Sequence, residues 1–136
     1  MFSVVGLLLY LSYHYIGQSC SSLLTKAVNN GILSRIMTLY CAPHMALSLK
    51  LMCLRSLDVL LGWPLAINHF LKREFLGQPN GYSYLIQLLE GSQPSRAQVS
   101  LVSLVKKIHV YEALEKVHDI SLILAHQPVN QRYHFH

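Results

Sequence analysis

The sequence predicts an all-α fold made of short helices packed in antiparallel pairs. Apolar residues recur at intervals of three and four along most of the chain, which is the period of an amphipathic helix. The breaks between these stretches contain Gly, Asn and Pro, the residues that commonly end helices. Alternating apolar and polar runs bounded by turn residues do not recur, so no strand pattern competes with this prediction.

Residues 1–22 form an apolar segment ahead of these helices, and no Asp, Glu, Lys or Arg occurs before Lys26. A signal peptide would carry a positive start and a small-residue cleavage site, and this segment shows neither. A transmembrane helix needs ~20 mostly apolar residues, whereas polar residues interrupt this run from Ser12 onward. We expect a buried helix of a larger helical stack; a membrane or signal segment and an irregular segment are the alternatives.

Four helices are predicted in the first half, over residues 23–29, 32–40, 43–61 and 65–75. The first ends at Asn29-Asn30-Gly31, which supplies residues that adopt left-handed backbone conformations. The third begins at Pro43, because proline lacks the N–H that the first helical residue leaves unpaired. Its predicted buried stripe consists of Leu47, Leu51, Leu54, Leu57 and Leu61, and its outward positions include Ser48, Arg55 and Ser56.

The second half predicts a loop over residues 77–81, a short helix over 82–90 and a turn over 91–94. Ser95 and Gln98 have the spacing of a capping box, so a helix is expected to start there. Two longer helices are expected between this point and about Leu124. The predicted organisation is therefore an apolar segment over residues 1–22, helical repeats over 23–125 and a disordered tail over 126–136.

A weak internal repeat relates the two halves. Asn30-Gly31 and Asn80-Gly81 each open a short helix, and each short helix is followed by a proline-containing turn and a longer helix. A shift of fifty positions pairs Ile36 with Ile86, Leu39 with Leu89, Leu51 with Leu101, Met52 with Val102, and Leu54 with Leu104. Armadillo and HEAT units run about 40–47 residues. The period therefore predicts an armadillo- or HEAT-like α-solenoid with a modest insertion.

Composition indicates a chain that is covered over much of its surface. Apolar residues make up 52% and charged residues 12% of the chain, about half the usual charged share of ~25%. Such a composition suits a membrane protein or a part of a larger body. Cys20, Cys41 and Cys53 are odd in number and lie in apolar surroundings, which favours reduced thiols in the cytoplasm or nucleus.

The sequence predicts no catalytic, cofactor or metal site. Cys41 and His44 have a C-x-x-H spacing, but a structural zinc site needs four ligands and Cys53 lies well down the next helix. His134 and His136 belong to the predicted tail. A Cys–His nucleophile would need an orienting acid, for which Asp58 is the nearby candidate, and no phosphate-binding loop is present. The sequence therefore indicates that the protein is not an enzyme.

Basic residues of the last predicted helices are the main candidates for contact with RNA or an acidic partner. The candidates are Lys106, Lys107, His109, Lys116 and Arg96. Phosphate or acidic contact would require them to converge in space. The alternative is that the Lys106 to His109 cluster ends a helix and complements its dipole. Tyr82, Tyr84 and Tyr111 are either interface residues or core residues with the hydroxyl at the rim.

The stretch from Gly81 to Ile120 resembles a segment of the virilizer family. The resemblance rests on a Gly81-Tyr82 opening and spaced leucines, followed by an Arg, a Lys, a His, a Tyr-Glu pair and a Leu. These residues are Leu85, Leu88, Arg96, Ser100, Leu104, Lys107, His109, Tyr111, Glu112, Leu114 and Ile120. Members of this family are much longer nuclear scaffolds built largely of armadillo-like repeats.

The resemblance implies a non-catalytic scaffold of the complex that writes N6-methyladenosine on messenger RNA. It implies a nuclear location, links to mRNA processing and alternative splicing, and protein partners that include a coiled-coil adaptor subunit, with RNA contacted indirectly. Two alternatives remain: a small membrane-associated helical protein anchored by its apolar start, and an unrelated armadillo-type adaptor.

Overall fold

A computed structural model describes residues 21–126, which contain six α-helices and no strand. The helices are α1 (Ser21–Asn29), α2 (Ile32–Tyr40), α3 (Leu47–Leu60), α4 (Pro64–Lys72), α5 (Gly81–Glu90) and α6 (Ser95–Ala125). The all-α prediction is confirmed over this part of the chain. Of the apolar segment predicted over residues 1–22 and the tail predicted over 126–136, residues 1–20 and 127–136 lie outside the described residues. Ser21 and Ser22 belong to α1.

The chain divides into two compact units within α6, the first ending at Val105 and the second beginning at Lys106. In the first unit, α2 packs on α3, α1 packs on both α2 and α4, and α4 packs on α5. The buried side chains that join these helices are almost all apolar, and the largest include Tyr40, Phe70, Met37, Leu57 and Leu85. Ser56 is the exception, and its hydroxyl donates to the Met52 carbonyl at 2.9 Å, which satisfies it within α3.

Helix α3 begins four residues later than predicted. Residues 41–46 form a turn in which His44 has a left-handed φ of 61°, and the first helical residue is Leu47. Because a left-handed residue cannot continue a right-handed helix, Pro43 does not begin one. The predicted stripe is buried only in its later part: Leu54 and Leu57 are buried, whereas Leu47 is 38% exposed. The outward placement predicted for Ser56 is wrong, since its side chain is fully buried.

The two Asn-Gly pairs open their helices by different means. At α2 the N-cap is Gly31, whose φ of 84° is the left-handed conformation that glycine adopts at little cost. At α5 the N-cap is Asn80, whose Oδ1 accepts a hydrogen bond from the Ser83 N–H at 2.8 Å. The repeated dipeptide thus marks helix starts in both halves, but its two residues exchange roles.

Helix α6 is one continuous helix of 31 residues, where the sequence predicted two. It begins at Ser95 itself, and the Gln98 N–H donates to the Pro94 carbonyl at 2.8 Å. The predicted capping box is therefore wrong, because Ser95 is already the first helical residue and Pro94 precedes the helix.

A close approach between α4 and α5 fixes the position of α5. A Cβ atom added to Gly81 would overlap the Phe70 ring, so only glycine fits at the start of α5. The Phe70 ring also meets Phe75 edge-on at a centroid distance of 4.9 Å, and Phe75 meets Tyr84 at 5.3 Å. These three rings connect the end of α4, the following loop and α5.

Polar contacts join the end of α2 to α5 and to the turn before α6. The Tyr40 hydroxyl donates to Gln93 Oε1 at 2.6 Å, and Cys41 Sγ lies 3.2 Å from the Tyr84 hydroxyl. The Lys50 ammonium stands 4.6 Å from the centroid of the Tyr40 ring. Burial raises the pKa of both tyrosines, and for Tyr84 the hydrogen bond with Cys41 adds to the shift.

Among the described residues, no single helix has both the length and the apolar character needed to cross a membrane. Helices α3 and α4 meet these two criteria jointly, although a bend of 108° separates them.

Gly81→Ala should lower the free energy of unfolding by about 1–3 kcal/mol, because the added methyl group must displace the Phe70 ring. Gly91→Ala is the matched control. A Cβ there would lie 3.5 Å from the Leu88 carbonyl oxygen, an ordinary contact. Urea denaturation of both variants measures the difference, and equal stability of the two would contradict the packing described here.

Asn80→Ala should cost about 1 kcal/mol, since it removes the side-chain acceptor that caps α5. Asn30→Ala, at the other Asn-Gly pair, should change stability by less than about 0.5 kcal/mol, because Gly31 is the N-cap there. The comparison uses thermal or urea unfolding, and a larger loss for Asn30→Ala would reverse the assignment of the two caps.

Alkaline pH should weaken the fold through Tyr84. Because its pKa is raised, the folded state holds the phenol proton more tightly than the unfolded chain does. This contribution is complete below the ordinary value of 10.0 and is lost as the pH rises through the higher folded pKa. The free energy of unfolding should therefore decline above about pH 10. The decline should be shallower in Tyr84→Phe, and parallel curves for the two proteins would exclude this role.

Candidate interaction surfaces

An open groove of ≈ 560 Å³ lies between α3 and the first part of α6, within the first unit. Its apolar lining consists of Leu51, Leu54, Val99 and Leu104, and its polar lining consists of Arg55, Asp58, Arg96, Ser100 and Ser103. The apolar lining residues come from both helices. The first part of α6 also carries the buried residues Ala97 and Leu101. The groove is therefore a seam between two helices with charged residues at its rim.

Arg96 is the candidate contact residue that this groove contains. It is exposed and lines the groove together with Arg55 and Asp58. The Ser100 hydroxyl donates to the Arg96 carbonyl at 3.3 Å, so it is engaged with its own helix. Two guanidinium groups and the Asp58 carboxylate stand beside a leucine-lined floor, so the groove offers both signs of charge next to an apolar surface.

The other four candidate residues belong to the second unit. Lys106, His109 and Lys116 are exposed and Lys107 is partly buried. The alternative explanation, that the Lys106 to His109 cluster ends a helix, is wrong because α6 continues to Ala125. They are mid-helix residues, so the helix C-terminal dipole does not account for them.

Apolar residues of the second unit form an exposed stripe along α6 that the sequence analysis missed. The stripe consists of Val110, Leu114, Val117, Ile120 and Leu124, and the first three are 59%, 64% and 60% exposed. At about 100° per residue, these five positions fall within a sector of roughly 120°. The signal was present in the spacing 110, 114, 117 and 124, but it becomes visible only when residues 95–125 are treated as one helix.

The described cysteines and histidines do not form a metal site. Cys41 is exposed and Cys53 is fully buried, and burial raises the pKa of the Cys53 thiol. No group of three or more His, Cys, Asp or Glu side chains in residues 21–126 is arranged to hold a metal ion. His134 and His136 lie outside the described residues.

Tyr84 and His69 are ionisable residues whose surroundings belong to the first unit. Tyr84 packs its ring on Phe75, and its hydroxyl lies within hydrogen-bond distance of Cys41 Sγ, so it is a packing residue with its hydroxyl at the rim. Burial lowers the pKa of His69 on α4, and the positive charge of Arg73 lowers that pKa further. These groups support the fold of the first unit.

Comparison with known proteins gives two relatives of the same name. The chain is 33% identical over 86 residues to Protein virilizer of Drosophila melanogaster, and 34% identical over 82 residues to Protein virilizer of Drosophila pseudoobscura pseudoobscura. The matched stretches cover 63% and 60% of this chain and 4% of each fly protein. No family model matches the chain, and no solved structure matches it.

The chain thus spans a small fraction of the length of the relatives it matches. The matched stretches of 86 and 82 residues are about twice as long as the forty residues from Gly81 to Ile120 that carried the resemblance. Helices are the regular elements of the described residues, and the sequence matches two virilizer proteins over 82 to 86 residues. The resemblance of this sequence to the virilizer family is confirmed.

Proposed function

We propose that this chain is a non-catalytic scaffold segment that acts in the machinery writing N6-methyladenosine on messenger RNA. The observation that carries the proposal is the similarity to two virilizer proteins over more than half of the chain. The functions that the resemblance implies are nuclear, with links to mRNA processing and alternative splicing. The chain spans 4% of the fly proteins, so it would contribute one part of such a scaffold.

We further propose that its helices are arranged as armadillo-like repeats. Adding fifty to the bounds of α2 gives residues 82–90, which fall within α5, and adding fifty to those of α3 gives 97–110, which fall within α6. The paired positions Leu54 and Leu104 are both 1% exposed. Matching helix bounds and this shared buried position support a repeat whose units bury a continuous core by stacking. The pair Ile36 and Ile86 differs, since only Ile36 is buried.

A scaffold acts through surfaces, and the described residues offer two. One is the groove at Arg96, and the other is the second unit with Lys106, Lys107, His109 and Lys116 beside its exposed stripe. Both surfaces can bind a partner without catalysing a reaction, because basic side chains beside apolar ones bind partners through charge complementarity and burial of apolar area. We propose these surfaces as contacts for protein subunits of the complex, including the coiled-coil adaptor, with RNA contacted indirectly.

A chimeric fly virilizer tests the proposal directly. The 86-residue stretch of Drosophila melanogaster virilizer that matches this chain is replaced by the corresponding residues of this chain. If the chain is an equivalent scaffold segment, the chimera should recover the coiled-coil adaptor on immunoprecipitation and restore N6-methyladenosine on mRNA in virilizer-depleted cells. Mass spectrometry of purified mRNA gives the methylation level.

Two controls make the result decisive. Virilizer lacking the stretch shows whether the stretch is needed, and a chimera carrying Gly81→Ala shows whether its fold is needed. A chimera that is expressed at the wild-type level but neither recovers the adaptor nor restores methylation would refute the proposal, as would carbonate-resistant membrane association of the chain itself. Recovery of other proteins in place of the adaptor would support an unrelated armadillo-type adaptor.

A further inference from the structure

We propose that the exposed face of α6 in the second unit is a docking surface for an amphipathic α-helix of a protein partner, with acidic residues beside that helix's apolar stripe. The inference deepens the proposed scaffold function and rests on it, since it assigns the chemistry of one partner to one surface. The surface consists of the stripe Val110, Leu114, Val117, Ile120 and Leu124 and the basic residues Lys106, Lys107, His109 and Lys116.

The stripe has the geometry of a helix–helix seam. Its spacing from Val110 runs four, three, three and four residues to Leu124, which keeps every member on one side of α6. Four of the five residues are more than half exposed, with Leu124 at 39%. Their side chains are aliphatic, and the branched Val and Ile chains have few rotamers to lose on burial. A partner helix can pack its own side chains between them.

Charges are segregated around this helix. On the helical wheel, at about 100° per residue, His109 falls along one edge of the stripe and Lys107 along the other, with Lys106 at its N-terminal end. Lys116 lies midway between the His109 edge of the stripe and Glu112. The acidic residues Glu112, Glu115 and Asp119 fall on the opposite side, within roughly 60° of one another. The exposed apolar face is therefore bordered by positive charge, which selects a partner whose flanking residues are acidic.

This combination fits a protein helix better than RNA. Single-stranded RNA is held by aromatic side chains that stack on bases, together with basic residues along the backbone. The exposed stripe is aliphatic throughout, and it would remain in water beneath a phosphate backbone. A helix with apolar residues at three- and four-residue spacing covers that area and places carboxylates beside Lys106 and Lys116.

The same charges argue against two other occupants. In an antiparallel pair of two copies, the edge with His109 and Lys116 would face its own equivalent, so like charges would meet. A helix that lies on an anionic membrane carries Lys and Arg on its polar face and often Trp or Phe on its apolar face. Here the polar face carries Glu112, Glu115 and Asp119, and the stripe has no aromatic residue.

Two synthetic peptides test the docking surface on the full chain. Each is about three heptads long, with Leu at the a and d positions. The acidic peptide has Glu at every e and g position, and the basic peptide has Lys there. Fluorescence anisotropy at low salt should show that the acidic peptide binds at least about tenfold more tightly than the basic one, because several exposed charge pairs change sign together.

Charge variants locate the effect. Lys106→Glu with Lys116→Glu should remove or reverse the preference for the acidic peptide. The matched control, Lys26→Glu with Arg35→Glu, makes the same change in net charge on exposed residues of α1 and α2 and should keep the preference. Circular dichroism verifies that helicity is equal in all proteins.

Apolar variants locate the seam. Leu114→Gln with Val117→Gln should weaken binding of the acidic peptide about tenfold, since two aliphatic side chains that the bound peptide would cover are lost. Leu122→Gln, at a residue that is 47% exposed but lies outside the stripe, should bind as the wild type does. Equal losses in both proteins would mean that the stripe is not the contact.

Several outcomes would overturn the assignment. These are equal binding of the two peptides, concentration-dependent dimerisation abolished by Val117→Gln, flotation with phosphatidylserine vesicles, and tighter binding of an oligouridylate than of the acidic peptide. A chimera that functions while the peptide preference fails would refute this surface alone. Intact peptide preference with a non-functional chimera would refute the scaffold role in mRNA methylation and leave the surface standing.

Discussion

The arrangement of the first unit depends on how closely the backbone of α5 approaches the Phe70 ring. Gly81 permits that approach, and the Asn80 side chain caps the helix at the same point, so the first turn of α5 is fixed from two directions. From there Tyr84 reaches the Phe75 ring and the Cys41 thiol, which ties α5 to the end of α2. Tyr40 then reaches Gln93 in the turn before α6. One position without a side chain therefore lets helices distant in sequence share a single core.

The sequence predicted those elements whose boundaries are set by local chemistry. Helix α2 was predicted over residues 32–40, and it spans Ile32–Tyr40, because the left-handed Gly31 and the apolar spacing leave little choice. The start of α3 was mispredicted because a left-handed residue at His44 outweighs the preference of Pro43 for a first helical turn. Burial of Ser56 could not be seen in a leucine pattern, since it depends on a bond to the carbonyl of Met52.

For the candidate surfaces too, the sequence predicted properties of single residues but not properties that depend on the surrounding structure. The basic residues could be identified from the sequence, because charge is a property of single residues. Their setting could not, because the polar run Lys106-Lys107 resembles a helix end when in fact it lies in the middle of α6. The exposed stripe escaped notice for a related reason: α6 carries buried apolar residues such as Leu101 and Ile108 as well as exposed ones such as Val110 and Val117. Apolar residues on more than one side blur the periodicity that marks an amphipathic helix.

The continuity of α6 also bears on the rate and the entropy of recognition. A short free peptide must form its first turn before any further turn can follow, and that nucleation is unfavourable. The residues beyond Lys106 extend a helix that has already begun at Ser95, so they avoid this step. When a partner binds a preformed helix, no conformational entropy is lost in ordering that helix, so more of the contact free energy contributes to affinity. Such a surface is ready at the first encounter, and the speed of capture is then set by diffusion and charge.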